Sequence, residues 1–212
     1  MSTRRIDWTP GRLRLAVTAG DDRPVALTRF GDLTVPPGAE RPLVEVLVAG
    51  DGRARAGTRF TDSGGGARLR YEGHQEAPGR LEVTQADPAT GLRVTVEFEA
   101  GADATAARVR TTVRNDGSEP VVLAAVSSFA AGLPASPGAL LHSAAGDHLA
   151  ENRWSARAIW EQAGLAGTGP GRCAIAAIGT STWSTAGTLP TGGLTDPAAG
   201  WSMAWQIEHN GG

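Results

Sequence analysis

Lysine is absent from this sequence, and cysteine and tyrosine each occur once. All 20 basic residues are therefore arginines, and the 22 acidic residues bring the net charge to −2. Because positive charge is not in excess, no basic stripe can neutralise phosphates, which argues against a nucleic-acid or anionic-membrane partner. Cys173 has no second cysteine to pair with, so no internal disulfide can form and nothing demands an oxidising compartment.

Long hydrophobic runs are also missing. No apolar stretch approaches the roughly 18 residues of a membrane-spanning helix, and Met1–Trp8 is too polar for a signal peptide. Glycine (29) and proline (13) make up about a fifth of the 212 residues, below the level of a disordered low-complexity chain. The sequence therefore predicts a soluble, cytoplasmic protein with a single domain over residues 1–212.

The sequence does contain short segments in which apolar and polar residues alternate. The clearest is 92–99, where Leu92, Val94, Val96 and Phe98 fall on one face and polar residues on the other. Alternation with a period of two indicates half-buried strands. Further strands are predicted at 12–17, 24–30, 43–48, 68–71, 81–84, 108–114, 121–128, 140–142 and 174–178.

Clusters of turn-forming residues separate these segments. Turns or loops are predicted at 19–22, 50–52, 61–66, 87–91, 115–120, 164–171 and 187–200. The turn at 115–120 is expected to close a hairpin between the strands on either side of it. No window has convincing helical spacing, although 154–163 comes nearest. The pattern predicts an all-β fold, an antiparallel β-sandwich (supersandwich-like) with little helix.

The final segment, 201–212, has the bulkiest apolar side of any predicted strand. Trp201, Met203, Trp205 and Ile207 alternate with polar or small residues, and Asn-Gly-Gly marks a turn after them. Burial of four such side chains contributes roughly 6–12 kcal/mol. We therefore expect the core to form around this strand, and Trp205→Ala to lower the free energy of unfolding by about 3–5 kcal/mol.

Patterns that carry catalysis or cofactor binding are scarce. Residues 167–172 lack the ending of a phosphate-binding loop and the spacing of a dinucleotide site, which favours an ordinary loop. No Gly-x-Ser-x-Gly motif surrounds Ser127 or Ser128. The histidines lack metal-ligand spacing, so no metal or cofactor site is predicted; they are His74, His142, His148 and His209. His209 is expected to end a strand by hydrogen bonding to a loop.

Paired carboxylates, as used in glycoside hydrolysis, are the remaining catalytic possibility. Acidic residues on predicted strands are Glu45, Glu97, Glu99 and Glu208. Those that share a face with Arg, Thr or Gln are expected to be solvated or ion-paired. The sequence places no two of them at a catalytic separation, so no catalytic residue is assigned.

Six tryptophans offer aromatic surface for a core, an interface or a sugar ring. Core burial is favoured for Trp201 and Trp205, which lie on the apolar stripe. Contact with an interface or a ligand is a stronger alternative for the tryptophans near loops, which are Trp8, Trp154, Trp160 and Trp183. No sugar-contacting residue is assigned.

The chain ends in Trp-Gln-Ile-Glu-His-Asn-Gly-Gly at 205–212. This segment is similar to a strand-and-turn signature in the N-terminal β-domain of glycoside hydrolase family 36 α-galactosidases, particularly actinobacterial ones. Weaker motifs that resemble the same domain occur in its order, at 42–46, 57–60, 68–71 with His74, 90–92, 113–115 and 179–182.

This resemblance implies a parent protein that removes terminal α-galactose with retention, using two aspartates of a catalytic barrel. No position here matches either aspartate, and the barrel is absent, so the chain is expected to be a truncated, non-catalytic domain. The implied partners are the parent's C-terminal barrel, further copies in a homo-oligomer and, for the parent, an α-galactoside. The alternative is a free-standing carbohydrate-binding or protein-interaction β-sandwich.

Overall fold

The structure, a computed structural model, describes residues 3–54, 62–101, 105–146, 152–162 and 187–208. The chain divides into two compact units, Met1–Pro134 and Ala135–Gly212. The predicted loop at 164–171 and the predicted strand at 174–178, with Cys173 before it, lie outside the described residues. A single domain over residues 1–212 stays a prediction.

The first unit consists mainly of short antiparallel strands. In chain order its elements are β1 (Thr3–Trp8), β2 (Leu15–Gly20), β3 (Arg23–Phe30), β4 (Leu33–Thr34), β5 (Val46–Val48), α1 (Gly64–Arg68), β6 (Arg70–Ala77), β7 (Arg80–Ala86), β8 (Leu92–Glu99), β9 (Arg108–Asn115) and β10 (Leu123–Val126). Strands β1–β4 form one sheet and β6–β9 another, each in sequence order, while β5 pairs with β10. All these pairs are antiparallel, and for the strands that follow one another in sequence the short connections require this.

The two larger sheets contribute to one hydrophobic core. In β8 the predicted apolar residues Leu92, Val94, Val96 and Phe98 are at most 2% exposed. The sheet of β1–β4 adds Ile6, Trp8, Leu15, Val17, Ala19, Val25 and Leu27 to the same cluster. Sheets that share a core through alternating side chains form a β-sandwich, so the predicted all-β antiparallel fold is confirmed.

The predicted turn at 87–91 connects β7 to β8 and fixes their register. The Gly91 amide donates to the Asp87 carbonyl at 2.9 Å, and Gly91 has a φ of +74°, which favours glycine. The Asp87 carboxylate also accepts a hydrogen bond from the Ala89 amide at 3.0 Å. The two strands then pair without a bulge from Arg80 to Ala86.

The predicted hairpin around 115–120 is wrong, because the chain after it leaves β9. Strand β10 pairs instead with β5, where Val126 stands opposite Val46. Hydrogen bonds extend this pairing at both ends, from the Ala49 amide to Val122 and from the Ser127 amide to Glu45. Pro120 lacks an amide hydrogen and so cannot continue a ladder beside β9.

The predicted turn at 61–66 and strand at 68–71 are replaced in part by helix α1. Ser63 caps this helix, since its hydroxyl accepts a hydrogen bond from the Gly66 amide at 3.1 Å. The helix lies close against β5: a Cβ on Gly65 would stand 2.6 Å from the Val46 carbonyl oxygen. The run of glycines is therefore needed for close approach, and β6 begins only at Arg70.

The second unit contains β11 (Leu140–Gly146), β12 (Arg153–Ala158), α2 (Ile159–Gln162), β13 (Gly187–Asp196) and β14 (Trp201–Gln206). The strands form one antiparallel sheet in the order β12–β11–β13–β14. The prediction of a loop over 187–200 is wrong for most of its length, because ten of those residues form β13. The glycines of this segment interrupt the alternation of apolar and polar residues, so the sequence pattern does not reveal the strand.

The predicted strand at the end of the chain is confirmed as β14, but its predicted role in the core is wrong. Trp205 is 39% exposed and Ile207 is 60% exposed, whereas the largest described core cluster lies in the first unit. Strand β14 stands at the end of its sheet, so among the described strands only β13 contacts it through backbone hydrogen bonds. An edge position explains why this bulky stripe is only partly buried.

Candidate functional site

Glu45 is the buried one of the four glutamates that the sequence places on strands. It is 1% exposed, and its Oε2 accepts hydrogen bonds from the Ser63 hydroxyl at 2.5 Å and the Ser63 amide at 2.9 Å. Its Oε1 accepts one from the Asp62 amide at 3.0 Å. This carboxylate therefore ties β5 to the beginning of α1. Ser127, whose hydroxyl could in principle be a nucleophile, donates no bond to this carboxylate but accepts one from the Glu45 amide.

Glu97 and Glu99 lie on the polar face of β8 and are ion-paired, as predicted. Glu97 contacts Arg80 on β7 and Arg110 on β9. Glu99 lies 3.8 Å from Arg108 on β9. Opposite charges in neighbouring strands stabilise the pairing of these strands modestly, since most of the side chains are exposed. Glu208, beyond the end of β14, is exposed.

Arg68 forms a charge cluster that the sequence pattern does not predict. Its guanidinium donates to the Asp51 carboxylate at 2.6 Å and to the Asp87 carboxylate at 2.8 Å. Asp87 is only 1% exposed. The cluster joins the end of β5, helix α1 and the turn between β7 and β8. The two aspartates lie in predicted turns, but the sequence does not indicate that they share one arginine.

The two carboxylates of this cluster are held in their ionised forms. Burial disfavours the charge of Asp87, but hydrogen bonds from Arg68, the Ala89 amide and the Thr90 hydroxyl outweigh it and lower its pKa. Hydrogen bonding to Arg68 is the main cause of the lowered pKa of Asp51. The same contacts raise the pKa of Arg68. Two low-pKa carboxylates locked to one arginine form a structural cross-link and offer no proton donor at neutral pH.

The exposed charges at the start of β8 and the end of β9 form a second cluster. Arg114 and Arg93 both donate to Asp116, and these hydrogen bonds lower the pKa of Asp116 to about 2. Arg93 also contacts Glu72 on β6. The cluster lies in water on the outer face of the sheet, where it neutralises charge across strands without enclosing a site.

The described histidines each have a polar neighbour. His74 Nδ1 lies 2.6 Å from the Tyr71 hydroxyl, and that hydroxyl also accepts from Arg4 at 3.2 Å. In the second unit His142 Nε2 lies 2.8 Å from the Thr195 hydroxyl. His148 and His209 lie outside the described residues. Neither described histidine is combined with a nucleophile and an acid in the manner of a catalytic triad.

The tryptophans divide between the core and the surface. Trp8 is 5% exposed and its ring lies 6.3 Å from that of Phe98, so it belongs to the core. Trp154 is 54% exposed and Trp205 is 39% exposed, which contradicts the predicted burial of Trp205. Trp201 is half-buried. Trp183 and the side chain of Trp160 lie outside the described residues.

Trp205 is positioned by a glycine on the neighbouring strand. Gly192 stands directly opposite Trp205, and a Cβ on Gly192 would lie 2.7 Å from Cζ2 of the indole. The indole therefore lies across β13 in the space that a side chain would fill. Beyond Gly192 the same row continues through Ser143 on β11 to Ser155 on β12. The sequence alternation located Trp205 on this face, but the role of Gly192 needed the strand register.

A shallow pocket of about 550 Å³ lies in the first unit. Its walls are the turn at 87–91, the connection at 117–122 and the end of β5 at Val48. Val122, at its mouth, is 68% exposed. Backbone groups and small aliphatic side chains line the pocket, with Glu119 as its carboxylate.

The described ranges hold neither a candidate metal cluster nor a helix long and apolar enough to cross a membrane. Among those residues no group of three or more His, Cys, Asp or Glu side chains could hold a metal ion. The two described helices are both too short to cross a membrane. The segment at 167–172, which the sequence predicts to be an ordinary loop, lies outside the described residues.

Comparison with known proteins gives a match to a family and to solved structures. A family model described as the glycosyl hydrolase family 36 N-terminal domain matches residues 53–161. Comparison with curated proteins gives no match. A crystal structure of the GH36 α-galactosidase AgaA from Geobacillus stearothermophilus is similar with a TM-score of 0.56 and 14% identity, over 91% of this chain and 32% of that chain.

Two further structures of AgaA variants from the same organism give the same identity and coverage. The variant in complex with 1-deoxygalactonojirimycin has a TM-score of 0.57, and the variant in complex with raffinose has 0.55. At 14% identity these similarities show the fold alone. The present chain spans about a third of the length of these solved relatives, at 32%.

Proposed function

The chain belongs to the glycosyl hydrolase family 36 N-terminal domain family, and from this we propose that it is the non-catalytic N-terminal domain of an α-galactosidase. In the complete protein, a catalytic barrel hydrolyses terminal α-galactosides with retention of configuration. This chain supports the barrel and takes part in contacts between subunits. The observation that carries the proposal is the family match over residues 53–161.

The environment of the described glutamates supports a non-catalytic role. Glu45 is enclosed by amides of the Asp62–Ser63 turn, and Glu97 lies between two arginines. A glycosidase carboxylate must instead reach the anomeric carbon or the leaving oxygen of a bound sugar. Residues already committed to backbone amides and arginines stabilise the sandwich, which is the task of a supporting domain.

A free-standing carbohydrate-binding sandwich is the second candidate function. The exposed indoles of Trp154 and Trp205 favour it, because aromatic side chains in water commonly serve as contact surfaces. The two candidates differ in the expected parent protein. A supporting domain requires a catalytic barrel in the same polypeptide, whereas a binding module does not.

A cytoplasmic location and a part in carbohydrate metabolism belong to the same proposal. The single cysteine supports the location, because the chain has no internal disulfide that an oxidising compartment would maintain. The family match supports the metabolic role.

The proposal is tested with the complete gene product and with a variant that lacks residues 1–212. Both are assayed on an aryl α-galactoside, with the matching β-galactoside as control substrate. We expect the complete protein to hydrolyse only the α-galactoside and to release the α-anomer first, as seen by proton NMR. Retention follows when two carboxyl groups lie about 5–5.5 Å apart.

The deletion variant distinguishes a structural role of this domain from catalysis by the barrel. We expect it to lose thermal stability and subunit assembly, because the barrel surface that the domain covers becomes exposed. A complete product that releases the β-anomer first, or that lacks α-galactosidase activity, would contradict the proposal.

A further inference from the structure

We infer that the step from Asp51 to Gly52 is a site of spontaneous isoaspartate formation, and that Arg68 suppresses this modification. The inference does not depend on the proposed function. Aspartate followed by glycine is especially prone to the reaction, because glycine has no side chain to hinder attack by its amide nitrogen. The sequence contains two such pairs, Asp51–Gly52 and Asp116–Gly117. Their surroundings in the structure differ.

The reaction rearranges the main chain without changing its composition. The amide nitrogen of Gly52 attacks Cγ of Asp51 and forms a C–N bond, while one carboxyl oxygen leaves as water with the amide proton and the carboxyl proton. The product is a cyclic succinimide. Water then adds to the main-chain carbonyl carbon of the ring and breaks its bond to nitrogen, so the chain continues through the former side chain. Water is thus the only co-reactant.

The two reacting groups lie side by side at Asp51. The Gly52 amide donates a hydrogen bond to Oδ1 of Asp51 at 3.1 Å, and Cγ is one covalent bond beyond that oxygen. Main-chain hydrogen bonds hold both residues in this turn. The Asp51 amide donates to the Val48 carbonyl at 3.1 Å, and the Gly52 carbonyl accepts from the Gly64 amide at 3.0 Å. Gly52 is exposed, so water has access to the site.

Arg68 keeps the carboxyl group of Asp51 in its unreactive, ionised form. The guanidinium donates to Oδ1 at 3.0 Å and to Oδ2 at 2.6 Å, and these hydrogen bonds are the main cause of the lowered pKa of Asp51. An ionised carboxylate reacts poorly with an amide, because its oxygen would have to leave without a proton. Arg68 also pairs with the buried Asp87 at 2.8 Å, which keeps its guanidinium in place.

Asp116–Gly117 has the same sequence but a different arrangement. The Gly117 amide donates to Oδ1 of Asn115 at 2.9 Å, so its proton is directed to the neighbouring side chain. The hydrogen bond that brings the reacting groups together at the first pair is therefore replaced at the second. Hydrogen bonds from Arg114 and Arg93 also lower the pKa of Asp116 to about 2. The second pair serves as an internal control in the same molecule.

Isoaspartate at residue 51 would disturb the junction between the end of β5 and helix α1. The modification adds one atom to the main chain and removes one from the side chain. The shortened carboxylate then no longer reaches Arg68 in the bidentate arrangement, which leaves Arg68 with Asp87 as its partner in this cluster. Suppression by Arg68 therefore preserves the contact that produces it.

The test stores the 212-residue chain and its Arg68→Ala and Arg68→Lys variants in warm buffer at neutral pH for several weeks. Peptide mapping by mass spectrometry with electron-transfer fragmentation distinguishes isoaspartate from aspartate at each position. We expect Arg68→Ala to raise the rate of isoaspartate formation at residue 51 several-fold and to leave the rate at residue 116 unchanged. Arg68→Lys should give a smaller rise at residue 51, because an ammonium group keeps the charge but not the bidentate contact.

Gly52→Ala is a matched variant that keeps every contact of Arg68. No heavy atom of the described residues lies within 4 Å of a Cβ on Gly52, and its φ is not positive, so the fold should accept alanine there. The methyl group hinders attack by the amide nitrogen. We therefore expect the double variant Arg68→Ala/Gly52→Ala to form isoaspartate at residue 51 no faster than the unmodified chain.

Three results would overturn the inference. The first is a rate at residue 51 that is the same in the unmodified chain and in Arg68→Ala. The second is an equal rise at residues 51 and 116 in Arg68→Lys, which also decides the matter if Arg68→Ala does not fold. The third is a rise at residue 51 that persists in the double variant, since it would show that attack by the amide nitrogen of residue 52 is not the cause.

Discussion

In the first unit, the buried carboxylates accept hydrogen bonds from other groups of the same unit. Glu45 accepts hydrogen bonds from two turn amides and a hydroxyl, and Asp87 accepts from Arg68, the Ala89 amide and the Thr90 hydroxyl. A buried charge that lacks such partners would destabilise the native state strongly. These residues therefore hold turns and strands together.

Loss of Arg68 should be more destabilising than loss of an exposed arginine. Arg68→Ala leaves the carboxylate of Asp87 buried and without its cation, so we expect the free energy of unfolding to fall by about 2–3 kcal/mol, allowing for solvent at the partly exposed guanidinium. Arg5→Ala is the control, since the ion pair between Arg5 and Asp7 is exposed. Urea denaturation measures both variants. Equal losses would contradict a special role for Arg68.

The lowered pKa values of Asp51 and Asp87 predict a loss of stability in acid. Unfolded aspartate has a pKa of about 3.9, so below that pH the unfolded chain takes up protons that the native carboxylates resist. Stability from these groups is therefore complete above about pH 5 and declines as the pH falls through the lowered native values. Denaturation midpoints across this range measure the decline. Asp87→Asn should show a shallower decline, and an unchanged slope would contradict the assignment.

Sequence could predict the pairing of Glu97 but not that of Glu45. Glu97 lies in a regular strand between strands rich in arginine, so its neighbours follow from the alternation. The partners of Glu45, Asp62 and Ser63, follow it by 17 and 18 residues, in a turn that folds back onto β5. Contacts of that kind depend on tertiary structure. The turn composition alone does not specify them.

At the scale of strands, local alternation was enough to predict strand bounds only where strands that are consecutive in the sequence also pair in the sheet. Strands β7, β8 and β9 were predicted with nearly correct bounds because consecutive hairpins join them. The partner of β10 was not predictable, since β5 precedes it by more than 70 residues. Strand β13 was missed because Gly192 and Gly193 interrupt its apolar pattern.

The positions of β8 and β14 predict different costs of losing an aromatic side chain. Phe98 on β8 is fully buried, so Phe98→Ala should lower the free energy of unfolding by about 3–5 kcal/mol. Trp205 on β14 is 39% exposed, so Trp205→Ala should cost only about 1–2 kcal/mol. Chemical denaturation of both variants tests the comparison. A larger loss of unfolding free energy for Trp205→Ala than for Phe98→Ala would show that β14 belongs to the core, as its sequence predicts.

At the scale of the whole molecule, the all-β fold and the family match agree. The terminal motif and the order of the weaker motifs resemble family 36, and the family match confirms that membership. The sequence could not predict the face around Trp205. Its row of residues comes from four strands, and only their register brings Ser143 and Ser155 into line with the indole.

The central claim is that this chain supports a glycosidase without performing its chemistry. Its most direct test is hydrolysis of an aryl α-galactoside by the purified 212-residue chain, with the complete gene product as positive control. We predict that the chain releases the aryl group no faster than a buffer blank, while the complete protein hydrolyses the substrate. Turnover that co-purifies with the chain and disappears in Glu97→Gln or Glu45→Gln would contradict the account.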